Sequence, residues 1–342
     1  MEGINEPAVT NWIKSALPDF ESPYNYELIA GGRSNLTFAV TGATGKKIVL
    51  RRPPVSHVLP TAHDMEREFR IISALKPVGF EVATPLAVCH DKEVNDYPFY
   101  LMSFVDGYIL KEPELLLEKF PNPNDRKTIS ESVVDTLVKL HSYDIDEIGL
   151  GDLARKEGYI ERQLKRWYSQ FRSSASEIDH SVPEVDEMFT RLSATVPEQK
   201  RAAIVHGDYR LDNTAVGQDG TIAAVLDWEI CTLGDPLADI GLLLVYWTEP
   251  SDTNPPLSSV TSLDGFYTRA EIAQRYANAA KVDLGLINYY VSFGYWKLAC
   301  ILEGVYSRYV QGARGGDRSE ITDYAKQVML LAQSSFAALE KF

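Results

Sequence analysis

The sequence predicts a two-lobed α+β protein, in which a small lobe rich in strands precedes a larger lobe that is mostly helical. Short strand-like runs dominate residues 1–105, and helical periodicity of apolar residues dominates from residue 112 onward. At 342 residues the chain is long enough for two lobes. We place the first lobe at residues 1–105, the second at residues 106–342, and the connector between them at about 102–107.

The first lobe is predicted to hold five strands and two helices. Three strands joined by glycine-containing turns form an antiparallel meander. A helix follows, in which apolar residues recur every three or four positions, and two further apolar runs complete the strands. In chain order these elements are the helix Ala8–Leu17, the strands Tyr24–Ala30, Leu36–Thr41 and Lys47–Arg52, the helix His63–Leu75, and the strands Thr84–His90 and Pro98–Val105.

The second lobe is predicted to be a set of helices around one small hairpin. The hairpin strands are Thr214–Val216 and Ile222–Leu226, and a Gly-Gln-Asp-Gly turn joins them. The helices are identified by apolar residues at helical spacing. They are Ser130–Leu140, Ile160–Phe171, Val185–Leu192, Leu237–Trp247, Arg269–Ala280, Leu286–Val310 and Ile321–Leu339.

Composition excludes several classes of protein. The chain has 48 acidic and 34 basic residues, a net charge of −14, which argues against broad nucleic-acid binding. The longest apolar run, Ile240–Trp247, is too short to cross a bilayer. The first residues are polar and acidic, unlike a secretory signal, and the three cysteines are widely spaced, as in reduced thiols. We therefore expect a cytoplasmic protein that binds neither nucleic acid nor membrane.

Residues 204–239 carry the strongest chemical pattern. Asp208 lies on a loop before the predicted hairpin, Asn213 lies at its start, and Asp227 lies at its end. Two carboxylates and a carboxamide brought together in this way can hold Mg²⁺ and leave one carboxylate to accept a proton. Each residue alone is typical of a turn or a helix cap. The joint pattern is not typical of turns or caps, because it combines H-G-D-x-x-x-x-N, a hairpin and D-W-E in that order.

Two features of the first lobe remain ambiguous from the residue pattern alone. Glu68 lies on the apolar face of its predicted helix, either as a surface charge or as one member of an ion pair. The turn Gly31–Asn35 is either a structural hairpin turn or a loop that brings backbone N–H groups to a phosphate.

These motifs resemble the aminoglycoside phosphotransferase and choline kinase-like superfamily, which has the protein-kinase fold. His206-Gly207-Asp208 and Asn213 resemble its catalytic loop, and Asp227 resembles its metal-binding aspartate. The resemblance implies that Asp208 accepts or orients the proton of the substrate hydroxyl. It also implies that Asn213 and Asp227 hold Mg²⁺ bound to ATP, with GTP as the alternative nucleotide.

The resemblance extends to the first lobe, where it favours a functional role for Glu68. Arg51 stands where the family has a lysine, and Glu68 matches the helix glutamate that pairs with that cation. The V-L-R-R-P-P sequence around Arg51 resembles the branch whose members are fused to acyl-CoA dehydrogenase domains. The resemblance also assigns nucleotide contacts to Gly32 and Ser34 in the glycine-rich turn and to Ser103 and Val105 in the connector.

The function implied is transfer of a γ-phosphoryl group to the hydroxyl of a small molecule. Acidic residues scattered over the second lobe suit a polyamine or an aminoglycoside acceptor. Three arginines in the segment 307–318 instead suit a hydroxy acid or a hydroxyacyl-CoA. A catalytically silent nucleotide-binding module is the alternative from another class. His141 is predicted to be a packing or hydrogen-bonding residue, and Asp235 a helix cap.

Overall fold

The computed structural model of the chain describes residues 3–30, 35–55, 64–252, 255–312 and 318–340. It contains a five-stranded sheet followed by a mostly helical region, so the predicted two-lobed α+β class is confirmed. The last strand of the sheet ends at Ser103, and the next helix begins at Pro113. The lobe boundary after residue 105 stays a prediction.

All neighbouring strands of the sheet are antiparallel, and the sheet order is β1-β2-β3-β5-β4. The predicted meander of the first three strands is confirmed, and two of its strands have the predicted bounds. The elements of this region are α1 (Glu6–Ala16), β1 (Asn25–Ala30), β2 (Leu36–Thr41), β3 (Lys47–Arg52), α2 (Met65–Leu75), β4 (Pro85–Cys89) and β5 (Phe99–Ser103).

Helix α2 places one charged residue on its buried face. Asp64 caps the helix, because its side chain accepts a hydrogen bond from the Arg67 N–H over 3.0 Å. Met65, Ile72 and Leu75 are buried as the periodicity predicts, and Glu68 is buried with them. The helix had been predicted to begin at His63, which lies outside the described residues.

The helical region contains eight described helices, and several begin earlier than apolar periodicity predicts. Helix α4 starts at Pro123 instead of Ser130, because Asn122 and Asp125 form a capping box around a polar first turn. The short helix α3 was not predicted. The helices are α3 (Pro113–Lys119), α4 (Pro123–Ser142), α5 (Tyr159–Glu177), α6 (Pro183–Ala194), α7 (Leu237–Tyr246), α8 (Arg269–Ala280), α9 (Ile287–Val310) and α10 (Arg318–Leu339).

Two small strand pairs lie among these helices. The predicted hairpin is confirmed as β7 (Thr214–Val216) and β8 (Ile222–Val225), with Thr214 opposite Val225. The other pair, β6 (Ala203–Val205) and β9 (Thr232–Gly234), was not predicted. Strands of three residues are too short to show alternation, so their pairing depends on tertiary contacts.

One apolar cluster spans the two regions of the chain. It joins Ile72 of α2 and Tyr100 of β5 to Val133, Val225 and Trp228 from the helical region. Burial of such side chains stabilises the fold by roughly 1.5–3 kcal/mol each. The sheet and α1 have a separate core, as do helices α5, α6, α7, α9 and α10. None of the described helices combines the length and apolar character needed to cross a membrane.

Candidate active site

A cavity of about 400 Å³ separates the sheet from the helical region. Five of the residues predicted to act on the nucleotide or the metal contribute to its wall. Asp208 lies just beyond this wall, in contact with one of the five. Gly32 and Ser34 lie outside the described residues. The five are Arg51, Ser103, Val105, Asn213 and Asp227.

Arg51 connects the two sides of this cavity. Its Nε donates a hydrogen bond to Oε2 of Glu68 over 2.9 Å, and its Nη2 contacts Oδ1 of Asp227 directly. Burial opposes the charged guanidinium, but the carboxylates of Glu68 and Asp227 outweigh burial and raise the pKa of Arg51. The arginine is therefore a permanent cation beside the carboxylate predicted to bind metal.

Glu68 is a buried carboxylate with three hydrogen-bond donors. Besides Arg51, it accepts from Asn35 Nδ2 over 2.9 Å and from the Tyr100 hydroxyl over 3.1 Å. Burial raises the pKa of Glu68 above its usual value, although the charge of Arg51 opposes this shift. The contacts agree with the ion-pair interpretation of Glu68. Asn35 and Tyr100 were not assigned roles from the sequence, although Asn35 ends the glycine-rich turn.

The loop after β6 presents Asp208 to the helical side of the cavity. Gly207 has φ +85°, and a Cβ at this position would lie 3.1 Å from atoms of Ile230, so glycine is required on both grounds. Oδ2 of Asp208 accepts a hydrogen bond from Asn213 Nδ2 over 2.8 Å. Because the amide nitrogen of Asn213 makes this bond, its amide oxygen is the atom that can bind a cation.

His206 links the loop to the strand that precedes Asp227. Its Nε2 lies 2.9 Å from the Leu226 carbonyl, and its Nδ1 lies 3.2 Å from the backbone nitrogen of Asp208. The carbonyl only accepts, so Nε2 carries the proton and Nδ1 accepts from the Asp208 N–H. His206 therefore holds two backbone segments together.

The hairpin brings Asn213 and Asp227 to the same end. The Leu226 N–H donates to the Asn213 carbonyl over 2.9 Å, which extends the pairing of β7 and β8 by one residue. Asp227 follows with φ +62°, a left-handed conformation that aspartate tolerates better than most residues. The chain reverses at this point, and the carboxylate of Asp227 faces Arg51.

Asp239 holds the loop from behind. Its carboxylate accepts from the backbone N–H groups of His206 and Gly207 over 2.7 and 2.8 Å. It also lies 3.2 Å from Nε2 of His141, whose Nδ1 is 2.7 Å from the Tyr276 hydroxyl. Burial lowers the pKa of His141, so the ring is neutral, donates to Asp239 and accepts from Tyr276. The structural role predicted for His141 is confirmed.

We expect Asp239→Ala to destabilise the fold by about 3–5 kcal/mol, because it leaves buried hydrogen-bond donors without an acceptor. Denaturant unfolding measures this loss. Glu187→Ala, which removes only an exposed carboxylate paired with Arg191, serves as the control and is expected to cost less than about 0.5 kcal/mol. Equal stability of Asp239→Ala and wild type would contradict the assignment.

The stability difference between wild type and Asp239→Ala should also depend on pH. Burial alone would raise the pKa of Asp239, but the hydrogen bond from His141, the imidazoles of His141 and His206 and the Gly207 N–H outweigh burial and lower it. The contribution of Asp239 is therefore complete above its unfolded pKa of about 3.9 and is lost as the pH falls through the folded value. The stability difference between wild type and Asp239→Ala should shrink below about pH 4.

A second cavity, of about 100 Å³, lies beside Asp208 and shares Lys111 and Asp212 with the larger one. Arg210 lines the small cavity, where its Nη1 lies 3.2 Å from Asp212 Oδ2 and its Nε lies 3.5 Å from Asp208 Oδ2. The Arg210 guanidinium lies 4.8 Å from the Tyr246 ring centroid. Burial, with the charge of Asp208 and its hydrogen bond, raises the pKa of the Tyr246 phenol well above its usual value.

The sequence did not identify Arg210, Lys111 or Tyr246 as site residues. Arg210 had a usable signal, since it lies two residues after Asp208 within the motif. Tyr246 lies in a predicted helix with an apolar run, where an aromatic residue usually belongs to the core. Asp235, predicted to cap α7, accepts from the Leu237 N–H over 3.0 Å and from the Tyr290 hydroxyl over 2.7 Å, which agrees with a structural role.

The arrangement of the sheet, the cavity and the loop that carries Asp208 is that of the protein-kinase-like phosphotransferases. A Ralstonia eutropha JMP134 protein provisionally described as an aminoglycoside phosphotransferase aligns over 99% of both chains, with a TM-score of 0.79 and 28% identity. Choline kinase from Cryptosporidium parvum shares the fold, with a TM-score of 0.65 and 13% identity over 98% of this chain and 96% of that one.

Residues 25–279 match the model of the phosphotransferase enzyme family (APH), and the chain belongs to that family. Mouse acyl-CoA dehydrogenase family member 10 is 33% identical over 99% of this chain and 32% of its own length. Rat acyl-CoA dehydrogenase family member 11 is 33% identical over 94% of this chain and 42% of its own length. The chain thus spans only 32% and 42% of the length of these relatives, and the predicted resemblance to their branch is confirmed.

Proposed function

We propose that this chain transfers the γ-phosphoryl group of ATP, with GTP as the alternative nucleotide, to the hydroxyl of a small molecule in a Mg²⁺-dependent reaction. The observation that carries the proposal is the common wall of the large cavity. Arg51 from the sheet and Asn213 and Asp227 from the hairpin face one space that the connector closes. Phosphoryl transfer needs a cation on the phosphates and oxygen ligands for Mg²⁺ in one place.

The connector and Arg51 would bind the nucleotide. The Ser103 N–H already donates to the Thr84 carbonyl over 2.8 Å, and the Ser103 hydroxyl accepts from the Thr84 N–H over 2.9 Å. The backbone of Val105, which also lines the cavity, is therefore the first contact we propose for the base. Arg51, held by Glu68, would contact the phosphates, for which a guanidinium offers two-pronged geometry.

Asn213 and Asp227 fit a magnesium ion. Mg²⁺ is usually bound by one or two carboxylates together with phosphate oxygens. Within the described ranges, no cluster of three or more His, Cys, Asp or Glu side chains forms a dedicated metal cage, which suits an ion that arrives with the nucleotide. The bound ion would neutralise charge on the transferred group.

Asp208 would receive the acceptor. Its carboxylate is oriented by Asn213 and lies beside the small cavity, from which an acceptor hydroxyl could approach. There it would accept the hydroxyl proton or orient the hydroxyl toward the phosphoryl group. Because the transition state is largely dissociative, these contacts contribute mainly by positioning and charge stabilisation.

Nucleotide binding gives the direct test. Thermal unfolding is measured with ATP·Mg²⁺, GTP·Mg²⁺, each nucleotide with EDTA, and Mg²⁺ alone. A nucleotide that binds the native state should raise the midpoint, and at about 100 times its Kd it adds about 2.7 kcal/mol. A metal-dependent shift without turnover of any acceptor would favour the silent module. The absence of a shift with every nucleotide would remove the phosphotransferase proposal.

Two observations favour a hydroxy acid or a hydroxyacyl-CoA as the acceptor over a polycationic aminoglycoside. The small cavity beside Asp208 is lined by two cations, Arg210 and Lys111, against one carboxylate, Asp212. The relatives named acyl-CoA dehydrogenase family members also point to acyl chemistry. Stimulation of ATP turnover by a panel of hydroxyacyl-CoAs, hydroxy acids, kanamycin and choline separates these classes. Part of the arginine-containing segment 307–318 lies outside the described residues.

A further inference from the structure

A lysine is buried directly behind the catalytic loop. Lys297 lies in the middle of α9 and is 3% exposed. Its Nζ donates a hydrogen bond to the carbonyl oxygen of Gly207 over 2.6 Å and lies 5.6 Å from the ring centroid of Trp167. A buried ammonium is costly unless it is paired, whereas a methionine of similar length would fill the same space without desolvation. A lysine at this buried position of α9 therefore needs a specific explanation.

The bond from Lys297 falls on the peptide that connects Gly207 to Asp208. The carbonyl of that peptide is held by Lys297, and its N–H lies 3.2 Å from Nδ1 of His206. The preceding peptide donates its own N–H, that of Gly207, to Asp239 over 2.8 Å. Gly207 adopts φ +85°, and glycine has more conformational freedom than any other residue type. The orientation of its two peptide groups therefore depends on these external contacts.

The charges around Lys297 come from three elements. The carboxylates of Asp208 and Asp239 favour the charged ammonium, whereas Arg166 on α5 opposes it. Burial lowers the pKa of Lys297. The lysine thus donates its hydrogen bond to the loop from the packed core, and it lines neither of the two cavities.

We propose that Lys297 is a positioning residue, which fixes the Gly207–Asp208 peptide so that the Asp208 carboxylate points to the acceptor. This inference rests on the proposed function, since it gives Asp208 a role at the reacting hydroxyl. Lys297 lines neither of the two cavities proposed for the nucleotide and the acceptor. Its effect should therefore fall on turnover and leave nucleotide binding unchanged.

Lys297→Met and Lys297→Gln are compared with wild type in steady-state ATP·Mg²⁺ turnover, with water or the best acceptor of the panel. Misplacement of a reacting group by about 1 Å can lower a rate on the order of 10²-fold. We expect kcat to fall by about that factor in Lys297→Met, while KM for ATP changes less than about twofold. Ser292→Ala is the control on the same helix, because the Ser292 hydroxyl donates to the Ser335 carbonyl of α10 over 2.8 Å and not to the loop.

Hydrogen exchange followed by mass spectrometry gives a readout that does not depend on activity. Deuterium uptake over residues 204–212 should rise in Lys297→Met and stay at the wild-type level in Ser292→Ala. Unchanged kcat together with unchanged uptake overturns the proposal, as does a loss confined to KM. Failure of both Lys297 variants to fold also overturns it, because the lysine would then support the whole core. If wild type neither binds nor turns over ATP·Mg²⁺, the proposed function fails, and the exchange experiment still decides whether Lys297 holds the loop.

Discussion

Asp208→Asn is expected to lower phosphoryl transfer by about 10²–10⁴-fold, the range typical of losing a general base. The carboxamide oxygen of the variant can still accept the bond from Asn213 Nδ2, which spans 2.8 Å in the native chain. The loop should therefore keep its shape. What the variant loses is a negative charge able to accept or attract the hydroxyl proton.

Steady-state turnover and nucleotide-induced thermal shift together test this expectation. Asp208→Asn should show a low kcat and a wild-type thermal shift with ATP·Mg²⁺. Asp219→Asn changes an exposed aspartate in the turn of the same hairpin and should behave as wild type in both measurements. Full turnover by a folded Asp208→Asn protein would remove Asp208 from the role of base.

The second large effect is expected from Asp227→Asn. Lewis-acid stabilisation by a metal is worth several kcal/mol, and each 1.36 kcal/mol is a factor of ten, so turnover should fall by at least about 10²-fold. Asparagine also tolerates the left-handed conformation that Asp227 adopts at φ +62°, so the backbone should stay in place. Asp227→Ala should lose turnover too, with added backbone strain.

The distinguishing readout is the dependence on Mg²⁺ concentration. A carboxylate that binds the ion sets the concentration needed for half-maximal turnover, and removing it should raise that concentration or abolish the dependence. In the variant the carboxamide oxygen can still accept from Arg51, but the ion pair between Arg51 and Asp227 is lost, while the 2.9 Å bond from Arg51 to Glu68 remains. An unchanged Mg²⁺ profile at wild-type rate would exclude Asp227 as a metal ligand.

Much of the site was predictable because its strongest signal is local. Asp208, Asn213 and Asp227 lie within 20 residues of one another, and the hairpin between them shows turn residues and apolar runs. Resemblance to a known family then placed Arg51 and Glu68. Periodicity alone was ambiguous about Glu68, because a helix pattern shows which face a residue occupies but not what lies opposite.

The site residues that the sequence did not identify act through contacts between distant segments of the chain. Lys297 and Tyr246 act on the loop from helices that follow it in sequence, and each resembles an ordinary core residue in its own segment. A turn marks β7 and β8, whereas the pair β6–β9 was missed because no turn joins its two short strands. Their partners are set by packing between distant segments.

The sequence by itself determined which chemical groups are available and which local elements present them. Turn residues, apolar spacing and the order H-G-D-x-x-x-x-N are short-range properties, because they depend on neighbouring backbone and side chains. Only the tertiary structure decided that Arg51 bridges Glu68 and Asp227. It also decided that Lys297 bonds the Gly207 carbonyl and Asp239 the Gly207 N–H. The small cavity beside Asp208 is likewise a tertiary feature. Those contacts join residues far apart in the chain, and their geometry follows from how the helices pack around the loop.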